Sequence, residues 1–258
     1  MKRVENLDEV QKVFGDWQET ILWSCLQGVM GDVFVPGHEN YPRSAAAWLG
    51  DFCLFGGDID SGLIRDICDR MKKIGRDFLI MVPQNERWAD CIENTLGTQA
   101  SRVIRYAIKK ERDIFDKAAL NQTVDALPVG FELRMIGKSE YEVCIAEIWS
   151  RDLVGNYKDF ETYQKLGLGV VAVCDGKIVA GASSYSSYNG GIEIEIDTKK
   201  EYRRRGLAYA CGAKLILECL ERGLYPSWDA QNRESVALAE KLGYHFDYEY
   251  LAYEVTGI

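Results

Sequence analysis

The sequence predicts an α/β protein in two parts, the second built on a mixed, mostly antiparallel sheet flanked by helices. Three observations carry this expectation. Strand-like runs and helical periodicities alternate twice along the 258 residues. Two hairpin signals, Asp175-Gly176 and Asn189-Gly190-Gly191, link three consecutive strand-like runs. Between the two alternations, residues 110–128 are charged, then polar, with little periodicity. The boundary is therefore placed there, giving a smaller N-terminal α/β domain over 1–120 and a C-terminal domain over 121–258.

Taken in order, Leu7, Val10, Val13, Phe14 and Trp17 recur at helical spacing, so the first 22 residues predict one amphipathic helix. Val29–Val35 and Ala45–Phe55 read as strands. A helix from Ser61 (Leu63, Ile64, Ile67, Met71), a strand at 78–83, a helix over 86–96 and a strand at 101–109 complete the first part. The second part reads as strand 131–136, helix 139–153, helix 160–166 and strand 169–174. The hairpin strands IVAGASSYSSY and IEIEID follow, then helix 206–222, strand YPSWDA, helix 233–242 and a last strand, FDYEYLAYEV. The same order of elements in both parts suggests distant structural repeats.

Composition narrows the function. Apolar residues make up 47%, charged residues 28% and the net charge is −9, spread over both parts. No basic stripe is available to displace counterions from nucleic acid, and an acidic surface favours a cationic partner. Eight cysteines without a C-x-x-C pair, and histidines only at 38 and 245, argue against a bound metal. The opening residues lack a signal-type apolar stretch, and no run of about 18 apolar residues occurs. A cytoplasmic protein without membrane or nucleic-acid partners is expected; nothing here opposes a homodimer. Asp58-Ile-Asp60-Ser-Gly62 lacks the turn glycine and closing glutamate of a calcium loop. Gly167-Leu-Gly169 precedes a strand, whereas a dinucleotide turn opens a helix.

The most informative stretch is Glu195-Ile196-Asp197-Thr198, followed by Arg203-Arg204-Arg205-Gly206-Leu207-Ala208. It reads as a strand ending in a turn that opens a helix. A helix N-terminus presents unpaired N–H groups and a partial positive charge, the arginines add charge-assisted hydrogen bonds, and Gly206 lets backbone approach phosphate closely. Arg203-x-x-Gly206-x-Ala208 resembles the Gln/Arg-x-x-Gly-x-Gly/Ala motif of the GNAT superfamily of N-acetyltransferases. Trp228-Asp229-Ala230-x-Asn232-x-x-Ser235 and Lys241-Leu242-Gly243-Tyr244 resemble the strand, helix and Lys-Leu-Gly-Phe/Tyr segment that follow in that family. The stretch is most similar to the subfamily related to zwittermicin A resistance proteins. The likeness covers residues 130–256, with 1–120 as an accessory, GNAT-like region.

The resemblance implies acetyl-CoA as co-substrate, its pyrophosphate on Arg203, Arg204, Arg205, Gly206, Leu207 and Ala208. It also implies that the backbone of Ile196, Asp197 and Thr198 holds the thioester end, and that Asn232 and Ser235 lie along the pantetheine arm. Asn232 is equally suited to cap helix 233–242. Trp149 and Asp152 lie where relatives bind the acceptor. Glu193, Glu195 and Asp197 alternate with Ile192, Ile194 and Ile196, so one strand face is lined with carboxylates. Glu195 is the first choice for the base that takes the amine's proton, and Glu193 the second. The family's acidic tyrosine is replaced by Ala239, with Tyr244 and Tyr248 as alternatives. The expected activity is direct acetyl transfer to a small-molecule primary amine. Ala239 keeps open a non-catalytic acyl-CoA-binding or sensing role. The N-terminal part has Gly56-Gly57-Asp58-Ile59-Asp60 where the arginine turn would be, so no cofactor binding is expected there.

Overall fold

The computed structural model describes residues 1–37 and 42–258; His38 lies outside the described residues. The chain forms two compact units. The first comprises Met1–Arg105 together with Glu249–Ile258, and the second Tyr106–Tyr248. The expected boundary at 120/121 is therefore displaced, and the last ten residues return to the first unit. The reason is local. Residues 117–125 form a helix capped by Asp116, whose carboxylate accepts the Ala118 and Ala119 N–H groups. Its Leu120 is buried in the core of the second unit, joined by Val124.

In the first unit the elements are β1 (Lys2–Arg3), α1 (Gln11–Phe14), α2 (Thr20–Leu26), β2 (Asp32–Val35), β3 (Ser44–Leu49) and β4 (Phe52–Gly57). They are followed by α3 (Ser61–Lys73), β5 (Phe78–Pro83), α4 (Glu86–Leu96) and β6 (Ala100–Ile108), whose last three residues belong to the second unit. Two expectations are corrected. The first 22 residues hold a 3-10 turn and two short helices, because Gly15 adopts φ +62° and breaks the periodic run. Ala45–Phe55 is a hairpin turning at Gly50, φ +55°. The strand order is β1-β2-β3-β4-β5, then the C-terminal strand and β6, with β4 and β5 parallel. Leu63, Ile64, Ile67, Cys68 and Met71 form one buried stripe of α3, packed with Phe55, Met81 and Trp88.

The second unit contains α5 (Lys117–Asp125), β7 (Phe131–Met135), α6 (Lys138–Ala146), α7 (Phe160–Leu166), β8 (Gly169–Cys174), β9 (Lys177–Tyr188) and β10 (Gly191–Thr198). They are followed by α8 (Leu207–Glu221), β11 (Tyr225–Ser227), β12 (Asp229–Ala230) and α9 (Arg233–Lys241); the C-terminal strand β13 (Phe246–Thr256) starts in this unit and from Glu249 onward belongs to the first. The helix expected over 139–153 ends at Ala146. Glu147 is extended, and Ile148–Leu153 continues as a 3-10 helix. Five strands run β11-β10-β9-β8-β7, antiparallel except for the β10–β11 pair. The mixed, mostly antiparallel sheet flanked by helices is thus as expected. Leu207, Cys211, Leu215, Ile216 and Cys219 of α8 cover one sheet face, packing on Ile192 and Ile194.

The other face is held close by two glycines. A Cβ on Gly181 would lie 2.6 Å from Leu153 Cδ1, and one on Gly169 would lie 2.6 Å from both Ile136 Cδ1 and Ser183 Oγ. Tyr163 and Tyr157 are buried there; their hydroxyls meet Ser183 Oγ at 2.9 Å and Ser184 Oγ at 2.6 Å. Gly169→Ala is expected to destabilise the fold by about 1–3 kcal/mol through overpacking, read as a lowered denaturant midpoint at unchanged slope.

Candidate active site

The site is built where β10 loses one neighbour. β11 pairs with β10 only from Gly191 to Glu193, and after Trp228 the chain leaves to pair β12 with β6. The YPSWDA run is thus two strands with different partners. Among the described residues, the β11 side of β10 has no strand partner from Ile194 onward, which leaves a wedge along half the strand.

Hydrogen-bond parity identifies what lines this edge. Lys199 N–H donates to Val179 O of β9, and Tyr225 N–H donates to Gly190 O. In an antiparallel ladder alternate residues face alternate sides. Glu195 and Asp197 therefore direct their backbone polar groups to β9, while Ile194, Ile196 and Thr198 direct theirs into the wedge. This corrects the expectation for Asp197, whose peptide groups do not line the open edge although its side chain lies beside it. β9 accommodates an extra residue, Tyr185, so that Glu193 opposes Ser186 and Ile194 opposes Ser184.

The wedge leads directly into the arginine turn. Arg204 (φ +61°) and Gly206 (φ +79°) are both left-handed, and residues 203–206 are exposed. The first-turn amides of α8, Leu207 and Ala208 among them, lack intrahelical acceptors, and Gly206 at the N-cap has no side chain to supply one. Arg203 Nε donates to Thr198 O at 3.1 Å, and Arg205 Nη2 donates to Glu201 O at 3.3 Å. The sequence thus sets positive charge and free amides at one helix end.

The carboxylate face is also present. Ile192 and Ile194 enter the α8 core, with Ile196 packed against it, so Glu193, Glu195 and Asp197 share the opposite face. Glu193 is 6% exposed, beneath the last β10–β11 pair, whereas Glu195 is half-buried at the first open stretch. Burial raises the Asp197 carboxyl above its ordinary range; its bond from Thr198 N–H and nearby Arg203 oppose this, and Asp152 adds to it. Asp152 and Asp197 therefore belong to one electrostatic cluster. Trp149 joins its rim. Its Nε1 donates to Glu147 Oε2 at 2.5 Å, and Lys199 Nζ lies 5.6 Å from its ring and 3.0 Å from Glu147 Oε2.

Comparison with known proteins shows the family. A family model described as GNAT acetyltransferase matches residues 11–253. The chain belongs to the GNAT acetyltransferase family. A GCN5-related N-acetyltransferase-like protein from Streptococcus suis 89/1591 is similar in structure, with TM-score 0.90 and 48% identity over 97% of this chain and 98% of that one. An uncharacterized N-acetyltransferase, YdfB of Bacillus subtilis (strain 168), is 28% identical over 178 residues, 66% of this chain. The match spans 63% of that relative's length. A tandem GNAT protein from the clavulanic acid biosynthesis pathway shares the fold, with TM-score 0.52 and 14% identity over 87% of this chain and 82% of that one.

Two further sets of residues named from the sequence are fixed in the fold. Asn232 caps α9 by accepting Ser235 N–H at 2.9 Å, and Ser235 Oγ accepts from Trp228 Nε1 at 3.1 Å, so both residues of the proposed pantetheine contact serve the fold. Ala239 is fully buried, and Tyr244, 1% exposed, donates its hydroxyl to Pro226 O at 2.7 Å. Burial pushes the Tyr244 phenol well up, and its hydroxyl is committed to Pro226 O inside the core; Tyr248 is 45% exposed.

The first unit repeats the plan with the opening closed. β4 and β5 stay paired through Phe55 and Pro83, and Gln84 N–H extends the ladder to Phe55 O at 3.0 Å. The Gln84 side chain accepts from Gly57 N–H and donates to Phe14 O, both at 2.9 Å, and Trp88 Nε1 donates to Gly57 O at 3.0 Å. At the head of α3, Asp60 Oδ1 accepts the Gly62 and Leu63 N–H groups at 2.7 and 3.2 Å. A carboxylate fills the place that free amides hold in the second unit.

Proposed function

We propose that this chain is an acetyl-CoA-dependent N-acetyltransferase that moves acetyl to a primary amine of a small molecule by direct attack. The observation that carries this reading is the continuity of the open β10 edge with the arginine turn at the head of α8. An unpaired strand edge suits an extended chain of amides, and a helix N-terminus with three arginines suits a diphosphate. Thr198 Oγ1, buried with no hydrogen-bond partner among the described residues, adds an unmet polar group at the junction. Bound there, acetyl-CoA would supply an activated acyl group.

The chain's residues then have distinct roles. Ile196 and Thr198 hold the thioester arm, with the Ile194 or Ile196 amide donating to the carbonyl oxygen as it gains charge. Glu195 removes the amine's proton, directly or through water; Glu193, nearly buried, is the second candidate. Trp149 and Asp152 receive the acceptor, and the acidic cluster with Asp197 favours a cationic amine. A thiolate is a stable leaving group and takes its proton from water, so Ala239 need not prevent turnover. By its Glu-Ile-Asp-Thr lead-in, the chain is placed beside the zwittermicin A resistance-related members. We place it in the cytoplasm, acting without metal, nucleic acid or membrane. Among the described residues no helix is long and apolar enough to cross a membrane.

Ala239 favours one second reading, an acyl-CoA-binding or sensing protein. Release of free thiol from acetyl-CoA across a panel of amines, amino sugars and polyamines separates the two. Amine-dependent release supports the enzyme, and tight binding without release supports the sensor. Calorimetry should give one CoA per chain, because Gln84, Trp88 and Asp60 close the first unit's counterpart. A stoichiometry of two would contradict that account.

A further inference from the structure

Thr198 is the last residue of β10 to face the wedge, and both of its backbone polar groups on that edge are engaged by neighbouring side chains. Its N–H donates to Asp197 Oδ1 at 2.6 Å, and its carbonyl accepts from Arg203 Nε at 3.1 Å. Arg203 Nη2 lies 3.8 Å from the same Asp197 oxygen. Together the two side chains offer one acceptor and one donor, which is what a peptide unit of an adjacent strand would offer. Side-chain bonds of this local kind compete with ladder pairing. Both side chains are partly exposed, Arg203 at 62% and Asp197 at 37%, so they can leave without opening the core.

We propose that Asp197 and Arg203 form a displaceable clasp on Thr198, which an extended amide-bearing arm entering the wedge must replace. The inference rests on the acetyltransferase reading and deepens it. Displacement hands Arg203 to the diphosphate and frees the Asp197 side chain to turn, with Asp152, toward the acceptor amine. Asp197 is then a positioning residue that links cofactor capture to acceptor binding, and the acceptor site is complete only after the arm is seated. A neutral arm pays for displacing the clasp with no charge gained, so pantetheine alone binds weakly.

Three proteins test this: wild type, Asp197→Ala, and Asp197→Asn, whose amide oxygen can still accept from Thr198. Hydrogen exchange at the Thr198 amide, followed by NMR, should accelerate in Asp197→Ala and remain near wild type in Asp197→Asn. Pantetheine, which is uncharged, should bind Asp197→Ala about two- to tenfold tighter than wild type, the range of one net hydrogen bond. It should bind Asp197→Asn like wild type, which excludes a simple charge effect. Unchanged Thr198 exchange in Asp197→Ala overturns the clasp. So does pantetheine affinity that is unchanged, weaker or absent in that variant, or equal tightening in both variants. Failure of the acetyltransferase reading has a different signature: no CoA binding or turnover in wild type, with the Thr198 exchange pattern still as expected.

Discussion

Gly206→Val is expected to abolish the thermal stabilisation that CoA gives the wild-type protein. With a dissociation constant of about 10 μM, 1 mM ligand would add roughly 2.7 kcal/mol, or several degrees for a chain of this size. Gly206 sits at φ +79°, where a β-branched residue is strained by about 1–3 kcal/mol. A Cβ there meets no protein atom within 4 Å, so the core does not oppose it, and Leu207 still anchors α8. The variant should therefore fold, somewhat less stably, with the turn redirected and its mouth narrowed by the new side chain. Pantetheine, lacking the diphosphate, should stabilise even the wild type far less than CoA. A folded Gly206→Val protein that keeps the full CoA shift would place the phosphate site elsewhere.

Glu195→Gln is expected to lower kcat about 10²- to 10⁴-fold while leaving CoA affinity nearly unchanged. The substitution keeps shape and removes the proton acceptor. Affinity should hold because the backbone of residue 195 faces β9 and contributes nothing to the open edge. The acid limb of the kcat/KM profile should flatten in the variant. A pH profile identical to wild type would move the role to Glu193 or to water. Glu193 is the poorer candidate on position, since it lies beneath the paired part of β10 and β11.

The arginine turn was legible in the sequence because its chemistry is local: strand, left-handed glycine and helix lie within 15 residues of chain. The carboxylate face was legible for the same reason, since alternation with Ile192, Ile194 and Ile196 fixes sides without tertiary information. What could not be read depends on partners distant in sequence. Whether Asp197 or Thr198 faces the wedge is set by register with Val179 and Gly181, and YPSWDA divides because β6 captures its second half. Helix α5 was missed because it buries little more than Leu120, leaving a weak periodic signal. The hairpin at Gly50 was hidden by largely buried strands on both sides, which read as one apolar run. The closed first unit was half visible. Its acidic residues could be read, but the bridging of Gly57 to Phe14 by Gln84 could not.

The most direct test of the central claim is a titration of isotopically labelled full-length protein with CoA, followed at the backbone amides. If the wedge and the arginine turn are the cofactor site, the largest shifts should fall on Ile196, Thr198 and Arg204–Tyr209, saturating at one equivalent, while Gly62 and Leu63 at the head of α3 stay in place. Shifts centred on Gly62 and Leu63, or a response that leaves Thr198 and Leu207 untouched at saturation, would contradict it.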